Sequence, residues 1–201
     1  MNPPESRPAG RPRDADADDR IIDAALAEYA AHGRAGYSLN GVARRAGVGK
    51  SSIYLRWADK ESLLVDAVHA RAEAPSIDSG SLRGDLEAVV AWLLGHFLTE
   101  VGWVAVRVAI DGVETDVRGP TPEKIGAQHA HVIHDIWERA VTRGEVDPSQ
   151  AETWRRVTRM MYGDLLLDAM LDRTRLRGLS DSDRAAEARD LVALMMRLLE
   201  R

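Results

Sequence analysis

The chain reads as all-α, in two helical parts that meet near residue 75. Three observations predict this. Apolar residues recur at i, i+3, i+4 and i+7 along most of the length, and no stretch alternates apolar with polar as a half-buried strand would. Glycine and proline punctuate these runs, and Pro75-Ser76-Ile77-Asp78-Ser79-Gly80 has the composition of a linker. Residues 38–57, SLNGVARRAGVGKSSIYLRW, set two short helical patterns about Gly47-Val48-Gly49, the arrangement of a helix-turn-helix.

Taken in order, residues 1–17 are rich in Pro, Gly, Arg and Asp without apolar periodicity, which predicts a disordered arm. Within it, Gly10-Arg11-Pro12-Arg13 resembles the core of an AT-hook, an extended segment that lies in the DNA minor groove. Two roles stay open for Arg11 and Arg13: contacts in a narrow, electronegative A·T-rich groove, or a solvated tail. Asp18 or Asp19 starts the first helix, with Ile22, Ala25, Leu26 and Tyr29 as its inward stripe and Gly33 as its stop. Ser38 caps the next, whose stripe is Leu39, Val42, Ala43 and Ala46. Gly41 inside that helix costs ~1 kcal/mol against alanine.

After the glycine turn, Ile53 and Trp57 form the buried side of a second short helix. Lys50, Ser51, Ser52, Tyr54 and Arg56 face outward, a cationic and hydroxylic surface suited to base edges and phosphates in a major groove. Asp59 is the N-cap of a fourth helix, with Ser62 three residues on and Leu63, Leu64, Ala67 and Val68 inward. It runs to about Glu73, ahead of Pro75. Residues 18–74 are therefore expected to form one domain and residues 75–201 another.

In the second part, Leu86, Val89, Val90, Leu93, Leu94 and Phe97 form a nearly unbroken helical series from Ser81 onward. A second helix spans residues 101–114 and stops by Gly119-Pro120. A third spans 121–143, carries Ile125, Val132, Ile133, Ile136, Trp137, Ala140 and Val141, and ends at Gly144. Asp147-Pro148 opens a long helix to about Arg175 with two apolar stripes: Trp154, Val157, Met161 and Leu165, and Met160, Leu167 and Leu171. Gly178-Leu179-Ser180 breaks it, and Asp181 or Ser182 caps a last helix bearing Ala188, Leu191, Leu194, Met195 and Leu198.

Composition removes several function classes. With 201 residues, 45% hydrophobic and 29% charged, the chain can bury a substantial core. It has no cysteine, hence no disulfide, thiol nucleophile or thiolate metal site. The opening MNPPESRPAGRPRDADADD has no apolar core of a secretory signal, and the apolar runs at 88–94 and 101–110, short or broken by Arg107, fall short of the ~20 residues of a membrane span. A cytoplasmic protein without membrane contact is expected. The net charge of −5 is unevenly spread: residues 1–60 hold 10 Lys+Arg and 8 Asp+Glu, net +2, and the rest hold 17 and 24, net −7. Only one end is suited to phosphate.

Two apparent motifs fail on their context. Gly49-Lys50-Ser51 matches the end of a phosphate-binding P-loop, but Arg44 stands where its first glycine belongs and a helical pattern precedes it instead of a strand. His131, His134 and Asp135 share a helix face, yet His129 points elsewhere and no second cluster completes a ligand set, so no metal or other cofactor is expected. No nucleophile–base pair has motif spacing, so an all-α enzyme is the weaker alternative.

Residues 21–67 resemble the DNA-binding domain of TetR-family transcriptional repressors. The resemblance rests on IIDAALAEYAAHG, VARRAGVGKSSIYLRW and DKESLLVDAV, with matching spacing between them; the remainder matches in helix pattern and length. Trp57 stands where the family usually has phenylalanine, and Arg56 where it often has histidine. The resemblance implies a ligand-responsive repressor that binds double-stranded DNA at an inverted repeat as a homodimer. It gives the Tyr54 hydroxyl to a phosphate, sets Lys60 beside the backbone, and has Ser38 and Arg44 hold flanking phosphates, with Arg45 and Asn40 open between phosphate and solvent. It further implies that the last two helices pair with their symmetry mates through Trp154, Met161, Leu165, Leu191, Leu194, Met195 and Leu198. The earlier helices would enclose an apolar or aromatic effector among Trp92, His96, Phe97, Trp103, Ile110, His129, Ile133, Trp137 and Tyr162. A DNA-binding regulator without an effector is the other reading.

Overall fold

The computed structural model describes residues 15–71, 75–111 and 122–200. Arg11 and Arg13, the end of the fourth helix, the stop by Gly119-Pro120 and the side chain of Ile125 lie outside the described residues. The N-terminal unit is built from α1 (Ala15–Gly36), α2 (Leu39–Ala46), α3 (Lys50–Tyr54) and α4 (Lys60–Arg71). The C-terminal unit contains α5 (Leu82–His96), α6 (Glu100–Asp111), α7 (Pro122–Thr142), α8 (Ala151–Leu171), α9 (Arg173–Gly178) and α10 (Asp181–Leu199), with a 3-10 turn at Pro148–Gln150 before α8. Among the described residues there is no strand, and no single helix is long and apolar enough to cross a membrane.

Helix α1 departs from expectation at both ends. It starts at Ala15, so residues 15–17, read as part of the arm, are helical, and Ala17 is buried. Acidic residues in this first turn suit the positive end of the helix dipole. Gly33 kinks α1 without ending it: with φ 61 and ψ −171 it takes a conformation closed to other residues, and one more turn follows to Gly36. The kink also makes room, since a Cβ on Gly33 would stand 2.5 Å from the Arg107 guanidinium.

Two cores organise the molecule. The first joins Ile21, Leu26, Val42, Ile53, Leu63 and Leu64 with Val104 and Val108 of α6, and the second joins α5 to α7, α8 and α10 about Leu86, Leu93, Ile136 and Met161. Helix α6 thus serves both, because Val106 belongs to the second core and Trp103 packs against it. Polar bonds add to this junction. The Tyr29 hydroxyl donates to Asp111 Oδ2 at 2.8 Å, the Arg34 amide donates to the same oxygen at 3.1 Å, and Arg107 Nη1 donates to the Ala30 carbonyl at 2.6 Å.

The long helix expected over 148–175 is divided. It ends at Leu171, and the Asp172 side chain accepts from the Arg175 amide to start α9. Arg173 then reaches back to the carbonyls of Phe97 and Leu98 and sits 4.3 Å over the Trp103 ring, contacts that a continuous helix would not direct there. The last helix is capped by Ser180, one residue before the expected position, in a reciprocal box with Asp183.

Candidate nucleic-acid interface and effector region

The helix-turn-helix forms for local reasons. Ser38 Oγ accepts from the Gly41 amide, and Gly47 ends α2 in the left-handed conformation at φ 67. Helix α3 is a single turn and a half, shorter than the pattern to Trp57 suggests. Ile53 and Trp57 anchor it in the core, and Trp57 Nε1 donates to Asp66 of α4 at 2.9 Å. Asp59 and Ser62 cap α4 reciprocally, the Ser62 amide donating to Asp59 Oδ1 at 2.7 Å; these bonds hold the Asp59 carboxyl below the usual carboxylate range.

On the outward side, Ser38, Lys50, Tyr54 and Lys60 line one groove of about 350 Å³ together with Asn40 and Asp59. Lys50 Nζ lies 5.5 Å from the Tyr54 ring centre, and Lys60 Nζ donates to the Tyr37 carbonyl at 3.2 Å while lying 5.9 Å from the Tyr37 ring centre. Two ammonium groups, a phenol and a serine hydroxyl share this open concavity with the carboxylates of Asp59 and Glu61; the ammonium groups and hydroxyls can donate to a phosphate. Ser51 and Arg44 are exposed and Ser52 is half-buried.

Arg56 and Arg45 are drawn away. Arg56 is ion-paired with Asp18 of α1 and donates to the Ser52 carbonyl at 2.9 Å. Arg45 pairs with the buried Glu28 at 3.3 Å, so its guanidinium faces α1. Leu55, which sequence reasoning passed over, is 83% exposed next to Tyr54. Its signal was an apolar side chain on the polar side of the motif.

Five of the expected effector residues meet at a junction of α5, α7 and α8. The His129 ring lies 5.2 Å from Trp92, 4.9 Å from His96, 6.2 Å from Phe97 and 6.2 Å from Tyr162, and Trp92 stacks on His96 at 4.6 Å. Burial lowers the His96 pKa to about 4, with His129 adding to the effect, and burial lowers that of His129 too; both rings are neutral. Burial likewise raises the Tyr162 phenol. Ile133, Trp137 and Tyr162 line a groove of about 490 Å³ between α7 and α8, floored by Trp154 and by Thr158, which was missed although it falls midway between Trp154 and Tyr162 on the same helix face. Trp103 and Ile110 are elsewhere: Trp103 lies under Arg173, and Ile110 is exposed on α6.

The interface expectation needs correcting. Trp154, Met161, Leu165 and Met195 are buried in the chain's own C-terminal core and Leu191 packs against it. Helix α8 carries two apolar stripes, and the one facing the core is taken internally. The outward stripe is Met160, Leu167, Met170 and Leu171, and Leu194 and Leu198 are exposed on α10.

Comparison with known proteins agrees with this architecture. The family model described as "Bacterial regulatory proteins, tetR family" matches residues 21–67, and that described as "Tetracyclin repressor-like, C-terminal domain" matches residues 76–192. The HTH-type transcriptional regulator AqdR of Rhodococcus erythropolis is 35% identical over 136 residues, 65% of this chain; the match spans 64% of that relative's length. A TetR transcriptional regulator from Agrobacterium tumefaciens has a similar structure, with TM-score 0.63 and 21% identity over 90% of this chain and 93% of that one. The transcriptional regulator FadR from Bacillus subtilis, solved in complex with stearoyl-CoA, gives a TM-score of 0.62 at 17% identity over 88% and 96%.

Proposed function

The chain belongs to the tetR family of bacterial regulatory proteins, and from that premise we propose that it is a cytoplasmic repressor that binds an inverted-repeat operator as a homodimer and is released by a small apolar or aromatic effector. The observation that carries this reading is the convergence of Ser38, Lys50, Tyr54 and Lys60 on one outward groove of the helix-turn-helix. In this reading Tyr54, Lys50 and Lys60 hold phosphates, Ser51, Ser52 and Arg44 complete the contacts, and Leu55 adds an apolar contact at the groove edge. Arg56 acts first as a strut between α3 and α1, through Asp18.

Dimerisation is supported by the outward apolar stripe of α8 and by Leu194 and Leu198 of α10, since apolar side chains gain by leaving water. A two-fold pair would set the recognition helices about one DNA turn apart, ~34–36 Å. Release would be a shift between two spacings of the N-terminal units, driven only by an effector that binds the two spacings unequally. Helix α6 is suited to transmit it, because Val104 and Val108 lie in one core and Val106 in the other.

Gel retardation on DNA bearing inverted repeats, across a salt series, tests the reading together with sedimentation. Tyr54→Phe is expected to weaken binding to every sequence alike, and Leu167→Asp to yield monomers that no longer retard the full site. A wild-type protein that sediments as a monomer and retards no inverted repeat at low salt would overturn it.

A further inference from the structure

The ring cluster between α5, α7 and α8 holds two polar atoms that nothing among the described residues satisfies: His96 Nε2 and the Tyr162 hydroxyl oxygen are buried without a hydrogen-bond partner there. Both atoms are shut off from bulk solvent. Leaving a buried polar atom unpaired costs roughly 1–3 kcal/mol, and native proteins leave few. Two such atoms in one cluster point to a partner from outside the chain. Their surroundings limit what that partner is. The rings of Trp92, Phe97 and His129 around them carry no charge, since burial keeps both histidines neutral. An ionised group placed among them would lose its hydration with no counter-charge in return, a cost of several kcal/mol.

One member of the cluster also borders a groove. Tyr162 belongs both to the cluster and to the groove of about 490 Å³ between α7 and α8, whose wall continues with Ile133 and Trp137. The His129 imidazole occupies the centre, edge-on to Trp92 and His96 and parallel to Tyr162 with an interplanar angle of 17°. A flat ring is thus already accommodated at that position by its neighbours.

From these observations we infer that the effector is an uncharged, planar ring compound bearing a phenol-type hydroxyl, whose ring takes the place of the His129 imidazole and whose hydroxyl bonds His96 Nε2 or the Tyr162 hydroxyl. This rests on reading the C-terminal unit as the effector-binding part, and adds the ligand's chemical class and the two residues that select it. Arg155 and Arg159 line the rim of the same groove, so an anionic ring compound is the competing occupant, and the test includes it.

Calorimetric titration of the full-length protein with 2-naphthol, naphthalene and 2-naphthoate separates these. The expected order is 2-naphthol about tenfold tighter than naphthalene, the worth of one neutral hydrogen bond, with 2-naphthoate weakest. His96→Phe combined with Tyr162→Phe is expected to erase the preference for 2-naphthol while naphthalene still binds, which a merely unfolded site would not allow. His129→Ala is expected to bind 2-naphthol more tightly. Binding strongest for 2-naphthoate, binding of none of the three, or an unchanged preference in the double variant overturns the inference. The same samples are tested for retardation of inverted-repeat DNA: retention of DNA binding confines the failure to the ligand class, and its loss in the wild type sinks the repressor reading itself.

Discussion

Gly41 is a residue whose cost as a helix former is outweighed by what lies beside it. A Cβ at this position would collide with the Glu28 carboxylate. Glu28 is 3% exposed, and its Oε2 accepts from Arg45 Nε at 3.4 Å and Nη2 at 3.3 Å. The carboxylate therefore cannot swing aside without breaking the pair that holds α1 against α2. Propensity alone predicts that Gly41→Ala stabilises by ~1 kcal/mol; the packing reverses the sign, with an expected loss of about 1–3 kcal/mol. Denaturant unfolding of the variant measures it. In a Glu28→Ala background the same substitution is expected to cost much less, because neighbours that clash are not additive. Sequence alone exposed the cost of this glycine and hid its reason, which depends on a residue thirteen positions earlier.

At the level of elements, what was legible follows from which forces are local. Caps at Ser38, Asp59 and Ser81 and the left-handed Gly47 act within a few residues, so the helix-turn-helix and the start of α5 could be read directly. The break at Asp172 could not, because Leu171 to Arg175 has no helix breaker and the deviation is held by Arg173 reaching the Phe97 and Leu98 carbonyls. Periodicity likewise identified both stripes of α8 without saying which meets the core. The outward polar residues proposed to face phosphate form a pattern that the sequence shows, but the diversion of Arg56 needed Asp18, 38 positions away in the sequence. The least legible element is the α1–α6 junction. Asp111 ties the two helices by accepting from both Tyr29 and the Arg34 amide. Asp111→Ala removes both bonds, and the expected result is faster hydrogen exchange at Arg34 and its neighbours beyond the Gly33 kink, with exchange in α8 and α10 unchanged. Uniform acceleration across the chain would mean that Asp111 supports global stability rather than this junction.

For the whole molecule, the buried histidines make stability depend on pH in a window that the carboxylates leave alone. His96 has a folded-state pKa of about 4 against 6.5 in the unfolded chain, and His129 moves in the same direction. Between those values the unfolded chain binds the extra protons, so stability falls as pH drops from 6.5 towards 4. For His96 alone the full loss is about 3 kcal/mol, from 1.36 kcal/mol per pKa unit. Asp59, Asp147 and Asp183 are held below 3.8 by hydrogen bonds from Ser62, Ser149 and Ser180, so their contribution is lost only below that value. Unfolding free energies taken from about pH 7 to about pH 5 are thus expected to decline in the wild type. The decline should be shallower in His96→Phe and shallower still when His129→Phe is added. Because His96 and His129 sit in the C-terminal unit, a ligand that fills their cluster without carrying a proton should add to this dependence only as the pH approaches the folded-state pKa of about 4, by binding only the form in which both rings are neutral.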